Sequence, residues 1–231
     1  NIVLIHSSKA VYALGTLTGK QLWRYAATYS IDGAPLVVGE QLYLNIDGGA
    51  ITALQLGTGD VLWTYTSTQD AVFLIGANGE RVYTATYTGA IFALNAVNGS
   101  QLWHYVAGIY FPTPPLLVDD VVYTVTLGNA VTALRGTDGA RLWKQAMQGS
   151  VNAFSAMGEN VYVNVQDTAT SRSNLIALNN LTGAQRWQTN LMGSIAGKPV
   201  AVNGLLYLSD NLGTMYALRA SDGLQEWSYT S

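Results

Sequence analysis

Residues 11–23 read VYALGTLTGKQLW, and five further segments of the chain repeat the same pattern. They are ITALQLGTGDVLW at 51–63, IFALNAVNGSQLW at 91–103, VTALRGTDGARLW at 131–143, LIALNNLTGAQRW at 175–187 and MYALRASDGLQEW at 215–227. In each copy an alanine lies ten residues before the tryptophan, and a glycine lies four residues before it. A fixed period near 40 residues indicates a repeat protein such as a solenoid or a propeller.

All tryptophans of the chain belong to these copies, at spacings of 40, 40, 40, 44 and 40 residues. They are Trp23, Trp63, Trp103, Trp143, Trp187 and Trp227. A buried indole removes about 150–250 Å² from water, and a small alanine leaves space for it. We therefore predict that these tryptophans are structural and hold neighbouring repeats together, rather than binding a ligand.

The pattern within one period predicts four short strands. Residues 34–68 contain the runs APLVVG, QLYLNI, AITALQL and DVLWTYTS, separated by turns of Gly, Asp and Asn. The motif glycine always follows Thr, Asn or Asp, whose side chains bond the local backbone while glycine adopts a positive φ. No window has a sustained helical period. These features predict an all-β fold, a β-propeller of six four-stranded antiparallel blades in one domain spanning 1–231.

The first blade lacks its innermost strand in this pattern. If the strands of a blade are named A to D outward from the axis, NIVLIH at 1–6 is a strand B and EWSYTS at 226–231 is a strand D. Strand A occurs near 34–38, 72–77, 113–118, 152–157 and 197–202. We expect either a three-stranded first blade with a bare inner edge, or a strand supplied by a terminal extension or another chain. Six blades of a larger ring would give the same pattern.

The string A-L-x-x-x-[TND]-G-x-x-x-W resembles the tryptophan-docking motif of the quinoprotein-like (PQQ-repeat) β-propellers, over essentially the whole chain. The period also fits WD repeats, but no Trp-Asp pair occurs. The family that this chain resembles often has Asp after Ala-Leu. Its hydrogen bonds are therefore expected to be mostly missing from the repeats of this chain. That position holds Gly15, Gln55, Asn95, Arg135, Asn179 and Arg219.

Composition excludes several functions. Charged residues are 11% of the chain, the net charge is −3 and no basic run occurs, so nucleic acid is a poor partner. No apolar run approaches the roughly 18 residues of a membrane span, which argues against direct membrane insertion. There is no cysteine, and the two histidines, His6 and His104, lie in different repeats. We therefore predict no catalytic residue, no cofactor and no metal, and hence no enzyme activity in this segment.

Departures from the repeat indicate where a partner would bind. The B–C hairpin of the fifth repeat expands to QDTATSRSN at 166–174, and the D–A connections differ most between repeats. Both are expected on one face of a propeller, around the mouth of the channel, where loops on a rigid scaffold suit recognition. Loop variation with locally packed aromatics is the other interpretation. The predicted binding face contains Tyr29, Asp32, Asp70, Tyr110, Phe111, Gln148, Arg172, Met192 and Lys198.

We predict a non-catalytic propeller module that binds a protein or small molecule on this face, in an extracytoplasmic location at the cell surface or in the periplasm. The resemblance implies two settings: outer-membrane assembly lipoproteins, and sensor domains attached to bacterial serine/threonine kinases. The kinase-appended setting fits slightly better. The rival class is an enzyme, either a fragment of a PQQ-dependent quinoprotein dehydrogenase or another enzyme that uses the mouth of the channel.

Overall fold

The computed structural model describes residues 1–67, 70, 72–108, 110–111, 113–126, 128–167, 170, 172–195 and 197–231. These residues form strands, turns and bends, and none of them is helical. Accordingly, the described ranges contain no helix of the length and apolar character that a membrane crossing requires. The chain divides into two compact units, Asn1–Tyr110 and Phe111–Ser231.

The described residues of the first unit form three antiparallel sheets, with strand orders β1-β2-β3, β4-β5-β6-β7 and β8-β9-β10-β11. Their bounds are β1 Ile2–Ser7, β2 Ala10–Gly15, β3 Gln21–Ala26, β4 Ile31–Val38, β5 Gln41–Ile46, β6 Ala50–Gln55, β7 Val61–Thr66, β8 Val72–Ala77, β9 Arg81–Thr86, β10 Ala90–Asn95 and β11 Gln101–Val106.

In the second unit, the residues outside the undescribed positions form three four-stranded antiparallel sheets, each again in chain order. Their bounds are β12 Leu116–Val118, β13 Val121–Thr126, β14 Ala130–Arg135, β15 Arg141–Ala146, β16 Ser150–Met157, β17 Asn160–Gln166, β18 Ser173–Asn179, β19 Gln185–Leu191, β20 Val200–Val202, β21 Leu205–Ser209, β22 Thr214–Arg219 and β23 Gln225–Thr230.

The predicted fold class is confirmed. In the part of the chain that the structure describes, the all-β propeller has six blades, of which five have four strands and the first has three. The missing strand is the predicted strand A, so β1 pairs only with β2 in its sheet. The A strands β4 and β16 begin earlier than the sequence indicated, at Ile31 and Ser150, whereas β12 and β20 are shorter, with three residues each.

The indole of Trp63 joins its blade to the next blade of the first unit. Its Nε1–H donates a hydrogen bond of 2.8 Å to the carbonyl of Ala96. Its ring lies against the turn glycine Gly99, where an added Cβ would be 2.6 Å from the ring atom Cε3. Since real Cβ atoms do not approach so closely, only glycine fits beneath the indole. We call this hydrogen bond and ring–glycine pair the tryptophan contact.

The same contact recurs inside both units. The indole Nε1 lies 2.8 to 3.1 Å from the carbonyl oxygen, and a Cβ added to the glycine would lie 2.5 to 2.6 Å from the nearest ring atom. The tryptophan, carbonyl and glycine are Trp23 with Leu56 and Gly59, Trp143 with Asn180 and Gly183, and Trp187 with Ala220 and Gly223. The repeated glycine therefore has a steric role across the blade boundary, in addition to its role in the turn.

The repeated alanine lies beside the tryptophan within the same blade. Ala53 and Trp63 are partners across the β6–β7 pair, and Ala53 is fully buried. Tyr43 of β5 lies on the other side of Ala53 in the sheet, with its ring centroid 5.9 Å from that of Trp63. The small alanine thus separates two large rings, which pack together as a tilted pair.

The C–D turns have the predicted local geometry. All six motif glycines have positive φ, from 65° to 78°. The preceding polar side chain accepts a hydrogen bond from the backbone N–H of the residue after the glycine, as Asp138 Oδ1 does from Ala140 at 2.9 Å. In some repeats the residue after Ala-Leu still accepts hydrogen bonds from the turn. Asn95 Oδ1, for example, accepts from the N–H groups of Val97 and Asn98 at 2.8 and 3.2 Å.

Replacement of Trp63 by alanine should lower the free energy of unfolding by about 3–5 kcal/mol, the usual range for removing a large buried aromatic side chain. Trp63 is 7% exposed, so the substitution leaves a cavity and an unpaired carbonyl. Urea unfolding of the variant provides the measurement. Leu62→Ala is the matched control, because Leu62 is the adjacent residue of β7 and is exposed. Equal losses for the two variants would contradict the role given to the indole.

Alkaline pH should destabilise the protein through Tyr123. Burial, assisted by the charge of Asp119, raises the pKa of Tyr123 from 10.0 to about 12. The protonated phenol is therefore favoured in the folded state, so its stabilising contribution is complete below pH 10 and is lost as pH rises toward 12. The free energy of unfolding of Tyr123→Phe should decline less steeply over this range. Parallel slopes for the variant and the original protein would contradict this assignment.

Candidate functional site

In both units the D–A connections are hydrogen bonded to B–C turns. In the first unit, the N–H of Ala27 donates to the carbonyl of Lys9 at 2.9 Å, and the N–H of Asp47 donates to Ser30 at 2.7 Å. In the second unit, the N–H of Met147, which lies in a D–A connection, donates to a backbone carbonyl of a B–C turn at 2.8 Å. Residues far apart in sequence therefore lie side by side within each unit, at the same end of the blades.

The β9–β10 turn of the first unit is held between two such connections. On one side a carboxylate oxygen of Asp70 accepts a 3.2 Å hydrogen bond from the N–H of Thr88. On the other side the carbonyl of Gly89 accepts from the N–H of Ala107 at 2.8 Å. A Cβ on Gly89 would lie 2.6 Å from the carbonyl oxygen of Gly108. The backbones of these two residues can therefore come this close only because residue 89 is a glycine. The backbone of the turn is thus fixed before any partner binds.

Two tyrosines project from this fixed backbone. Tyr87 in the turn is 65% exposed, and Tyr110 in the following connection is 50% exposed. The backbone N of Tyr110 lies 3.1 Å from the position of a Cβ on Gly89. The ring of Tyr87 is supported by Phe73, with centroids 5.2 Å apart. We call Asp70, Phe73, Tyr87 and Tyr110 the aromatic site.

Sequence reasoning identified Asp70 and Tyr110 but missed Tyr87 and Phe73. Tyr87 belongs to a B–C turn of ordinary length, so it did not appear among the departures from the repeat. A signal was present, because the corresponding position of the second blade is Asp47, a common turn residue. A large aromatic residue in such a turn has no evident local role.

A cavity of about 390 Å³ adjoins the aromatic site, because Phe73 contributes to both. Asp32 lies in its wall across from Asn45, at an irregularity in the β4–β5 register. The Oδ1 atom of Asn45 is buried without a hydrogen-bond partner. The wall is formed by Asp32, Gly33, Ala34, Leu36, Asn45, Phe73, Leu74 and Ile75. The cavity therefore combines an apolar wall with one exposed carboxylate, which suits an aliphatic group that ends in a hydrogen-bond donor.

Tyr29, the remaining predicted residue of the first unit, is exposed in the connection between β3 and β4. In the second unit, Phe111 is partly buried, and Gln148, Arg172, Met192 and Lys198 are exposed. Thus the structure gathers Asp70 and Tyr110 around one turn and places Asp32 in the adjoining cavity.

The expanded hairpin of the fifth blade connects β17 to β18, and residues 168, 169 and 171 of it lie outside the described residues. Its base is bonded to the connection that follows β19. The N–H of Ile195 donates to Ser173 Oγ at 3.0 Å, and Asn164 Nδ2 donates to the Ile195 carbonyl at 3.4 Å. The connection bearing Met192 and Lys198 is therefore tied to this hairpin.

Gln148 lines a second-unit cavity of about 230 Å³. Its polar wall is rich in carboxamides, from Gln145, Gln148, Asn174, Gln185 and Gln188. Carboxamides donate and accept hydrogen bonds without bearing charge. Such a wall suits a neutral polar group.

A larger cavity of about 590 Å³ lies among A–B and C–D turns of the second unit, where sequence reasoning expected only repeated turns. Arg186 in its wall pairs with Glu159 at 2.9 Å. Arg219 pairs with Asp222 at 3.0 Å and with Glu226 at 2.8 Å. Since both guanidinium groups are already neutralised by carboxylates, this cavity offers little free charge to an ionic ligand.

The described residues offer no cluster for a metal, and four of the six tryptophans have no ring face free to stack on a quinone. Among the described residues, no group of three or more His, Cys, Asp or Glu side chains is arranged to hold a metal ion. An indole that stacks on a quinone needs a free face. Trp23, Trp63, Trp143 and Trp187 each have a ring face against a turn glycine and are only 7–8% exposed.

The repeats and their contacts define a propeller of the quinoprotein-like class. The family model described as outer membrane protein assembly factor BamB matches residues 1–78, 71–191 and 157–231, and the chain belongs to this family. A search of curated proteins found no match to the chain.

Solved structures with the same fold have diverse sequences. BamB from Moraxella catarrhalis superposes with a TM-score of 0.72 at 18% identity, covering 100% of this chain and 73% of that protein. Sqt1 from Saccharomyces cerevisiae gives 0.72 at 15% identity, covering 100% and 70%. The quinohemoprotein alcohol dehydrogenase ADHIIG from Pseudomonas putida gives 0.66 at 13% identity, covering 99% and 57%. At these identities the likeness shows the fold.

Replacement of Asp70 by alanine should loosen the β9–β10 turn. Without the carboxylate, the N–H of Thr88 loses its hydrogen-bond acceptor and should exchange with deuterium more rapidly. We expect an exchange rate at least about tenfold higher, which corresponds to 1.4 kcal/mol. Asp47→Ala is the control, because Asp47 occupies the B–C turn of the preceding blade and accepts from its own neighbour Gly48. Unchanged exchange at Thr88 would contradict the proposed support of the turn.

Proposed function

We propose that the chain is a non-catalytic, extracytoplasmic scaffold module that binds a protein partner through the aromatic site of its first unit. The observation that carries this proposal is the exposure of Tyr87 and Tyr110 on a backbone fixed by Asp70 and the Gly89–Gly108 approach. Membership of a family described as an outer membrane protein assembly factor supports a protein partner and an extracytoplasmic location.

The two tyrosines have the properties of interface anchors. A tyrosine supplies a large apolar area and a hydroxyl group, yet it has only two side-chain torsions to immobilise. The backbone around Gly89 already has its partners, so little ordering is left for the moment of binding. Aromatic residues of this kind carry much of the binding energy in protein interfaces.

The adjoining cavity indicates the chemistry of the partner's contacting segment. Asp32 provides an exposed carboxylate in a mainly apolar wall that includes Phe73 and Leu36. A lysine or arginine side chain fits this arrangement, because its aliphatic stem packs on apolar surface while its cationic head meets the carboxylate. The proposed partner segment therefore has a basic residue beside the apolar or aromatic group that covers the tyrosines.

The kind of larger protein to which the module belongs is also part of this proposal. A sensor domain of a larger bacterial protein, such as a serine/threonine kinase, would use the same surface to detect its ligand. The coding sequence on either side of this segment tests that setting. A kinase domain there would indicate a sensor domain, and a lipid-anchor signal would indicate an outer-membrane assembly lipoprotein.

The enzyme alternative has weaker support. The similar quinohemoprotein dehydrogenase shares 13% identity with this chain, and the chain covers 57% of it. The described residues contain no cluster that could hold the metal of such a cofactor, and four of the six indoles have a ring face covered by a turn glycine. Within the described ranges, no arrangement of side chains favours another reaction.

Binding of an outer-membrane β-barrel protein, kept unfolded in dilute urea and labelled with a fluorophore, tests the proposal by fluorescence anisotropy. Tyr87→Ala combined with Tyr110→Ala should weaken binding at least about tenfold, or 1.4 kcal/mol. Both side chains are exposed, so the fold should be retained. Asp32→Asn should weaken binding by a smaller factor than the double tyrosine substitution does. That factor should be larger at low salt than at high salt, because salt screens the charge of Asp32.

Glu40→Ala and Glu80→Ala are the controls, because both residues lie in A–B turns at the other end of the blades. Normal binding by the double tyrosine variant, together with loss of binding in these controls, would show that the opposite end is the binding surface. Absence of binding by the unaltered protein would overturn the assembly role proposed from the family.

A further inference from the structure

Tyr65 packs between the second and third blades, inside the first unit. It lies on β7, two residues after the motif tryptophan, and its ring centroid is 6.3 Å from that of Phe92 on β10. Phe92 in turn stacks on His104 of β11, with centroids 6.1 Å apart. The hydroxyl of Tyr65 donates a long hydrogen bond of 3.5 Å to Gln101 Oε1. Three rings and one carboxamide thus meet at this blade boundary.

The boundary between the fourth and fifth blades, inside the second unit, has non-aromatic residues at the same three positions of the repeat. Counted from the motif tryptophan and alanine, the replacements are Gln145 for Tyr65, Ile176 for Phe92 and Gln188 for His104. The carboxamide is retained, because Gln185 occupies the position of Gln101. This boundary therefore lacks the three rings but keeps the acceptor that the tyrosine hydroxyl uses.

The cavity of about 230 Å³ in the second unit lies at these replaced positions, since Gln145, Ile176, Gln185 and Gln188 are all in its wall. We call it the carboxamide cavity. Ile176 and Met147, which is also in the wall, are buried members of one hydrophobic cluster, so the floor of the cavity is part of the core. Gln185 and Gln188 are exposed, so the cavity can be entered from solvent.

We propose that the carboxamide cavity binds a phenol ring of a separate molecule. In this arrangement the ring packs on Ile176, as the ring of Tyr65 packs on Phe92. Its hydroxyl donates to the carboxamide oxygen of Gln185, as the hydroxyl of Tyr65 donates to that of Gln101. The contact inside the first unit thus indicates the chemistry of the ligand. The ring comes either from a small phenolic compound or from a tyrosine of a partner protein.

The size and polarity of the cavity both fit this ligand. A cavity of about 150 Å³ can admit benzene, so the carboxamide cavity, at about 230 Å³, has room for a phenol. Its apolar floor, which includes Met147 and Ile176, suits the face of the ring, and the carboxamides can accept from the hydroxyl. Among the described residues, no cationic side chain contributes to the wall, so the neutral phenol is the expected form.

Titration of the full chain with 4-methylphenol, followed by ¹H–¹⁵N NMR, tests the proposal. The side-chain amide signals of Gln145, Asn174 and Gln185 should shift as the ligand is added, because all three residues line the cavity. The signal of Gln101 should not shift, because Tyr65 already occupies its site. Gln185→Ala should weaken binding of 4-methylphenol about two- to tenfold, the usual effect of one hydrogen bond. Binding of toluene, which lacks the hydroxyl, should change less.

Gln145→Tyr introduces the residue type of Tyr65 and should fill the cavity, so binding of 4-methylphenol should fall at least about tenfold. Ile176→Phe, which copies Phe92, narrows the cavity from the opposite blade and should also weaken binding. Lys144→Tyr is the matched control, because Lys144 is the adjacent residue of β15, is exposed and lies outside the wall. It should bind 4-methylphenol as the unaltered protein does.

N-acetyl-tyrosinamide distinguishes the two sources of the ring. If the cavity accepts a tyrosine of a partner protein, this compound should bind at least as tightly as 4-methylphenol, because its amide groups can reach the exposed carboxamides of Gln148 and Gln188. If the ligand is a small phenolic compound, the amide groups should hinder entry and N-acetyl-tyrosinamide should bind more weakly.

The proposal fails if neither phenolic compound shifts the amide signals of the cavity. It also fails if Gln145→Tyr and Ile176→Phe both bind 4-methylphenol as tightly as the unaltered protein, because the ligand would then lie elsewhere. Equal effects of Gln185→Ala on 4-methylphenol and toluene would overturn the recognition of the hydroxyl.

Discussion

The fold depends on the close approach of an indole to a glycine that already has a positive φ. At Gly59, Gly99, Gly183 and Gly223 the φ angle lies between 71° and 78°, which favours glycine, and an added Cβ would also overlap the tryptophan ring of the neighbouring blade. One residue therefore satisfies two independent constraints. The indole N–H then bonds to a backbone carbonyl, so that the polar edge of a largely buried side chain has a partner.

Much of this architecture was predictable from the sequence. Alternating residues with Gly, Asn and Asp turns indicated the strands, and the count of strand types gave the three-stranded first blade. The steric role of Gly99 beneath Trp63 was not predictable in the same way. A positive φ already explained the glycine, so the sequence contained no separate sign of the ring above it.

The candidate site was predictable only in part, for a related reason. Asp70 and Tyr110 lie in connections that differ visibly between repeats, so sequence comparison within the chain identified them. Tyr87 occupies a turn whose length follows the repeat. Its significance depends on exposure and on Phe73 behind it, and these are properties of packing between distant segments. The cavity beside Asp32 likewise arises from the irregular register of β4 and β5, which no local pattern specifies.

Repetition also separates the residues that hold the blades together from those of the proposed binding site. The residues that make the tryptophan contact recur in every blade and so cannot distinguish one blade from another. The D–A connections take no part in that contact and are free to vary, while hydrogen bonds such as that from Thr88 to Asp70 keep them in place. A module of this kind can acquire a new partner by changing a connection without altering its sheets.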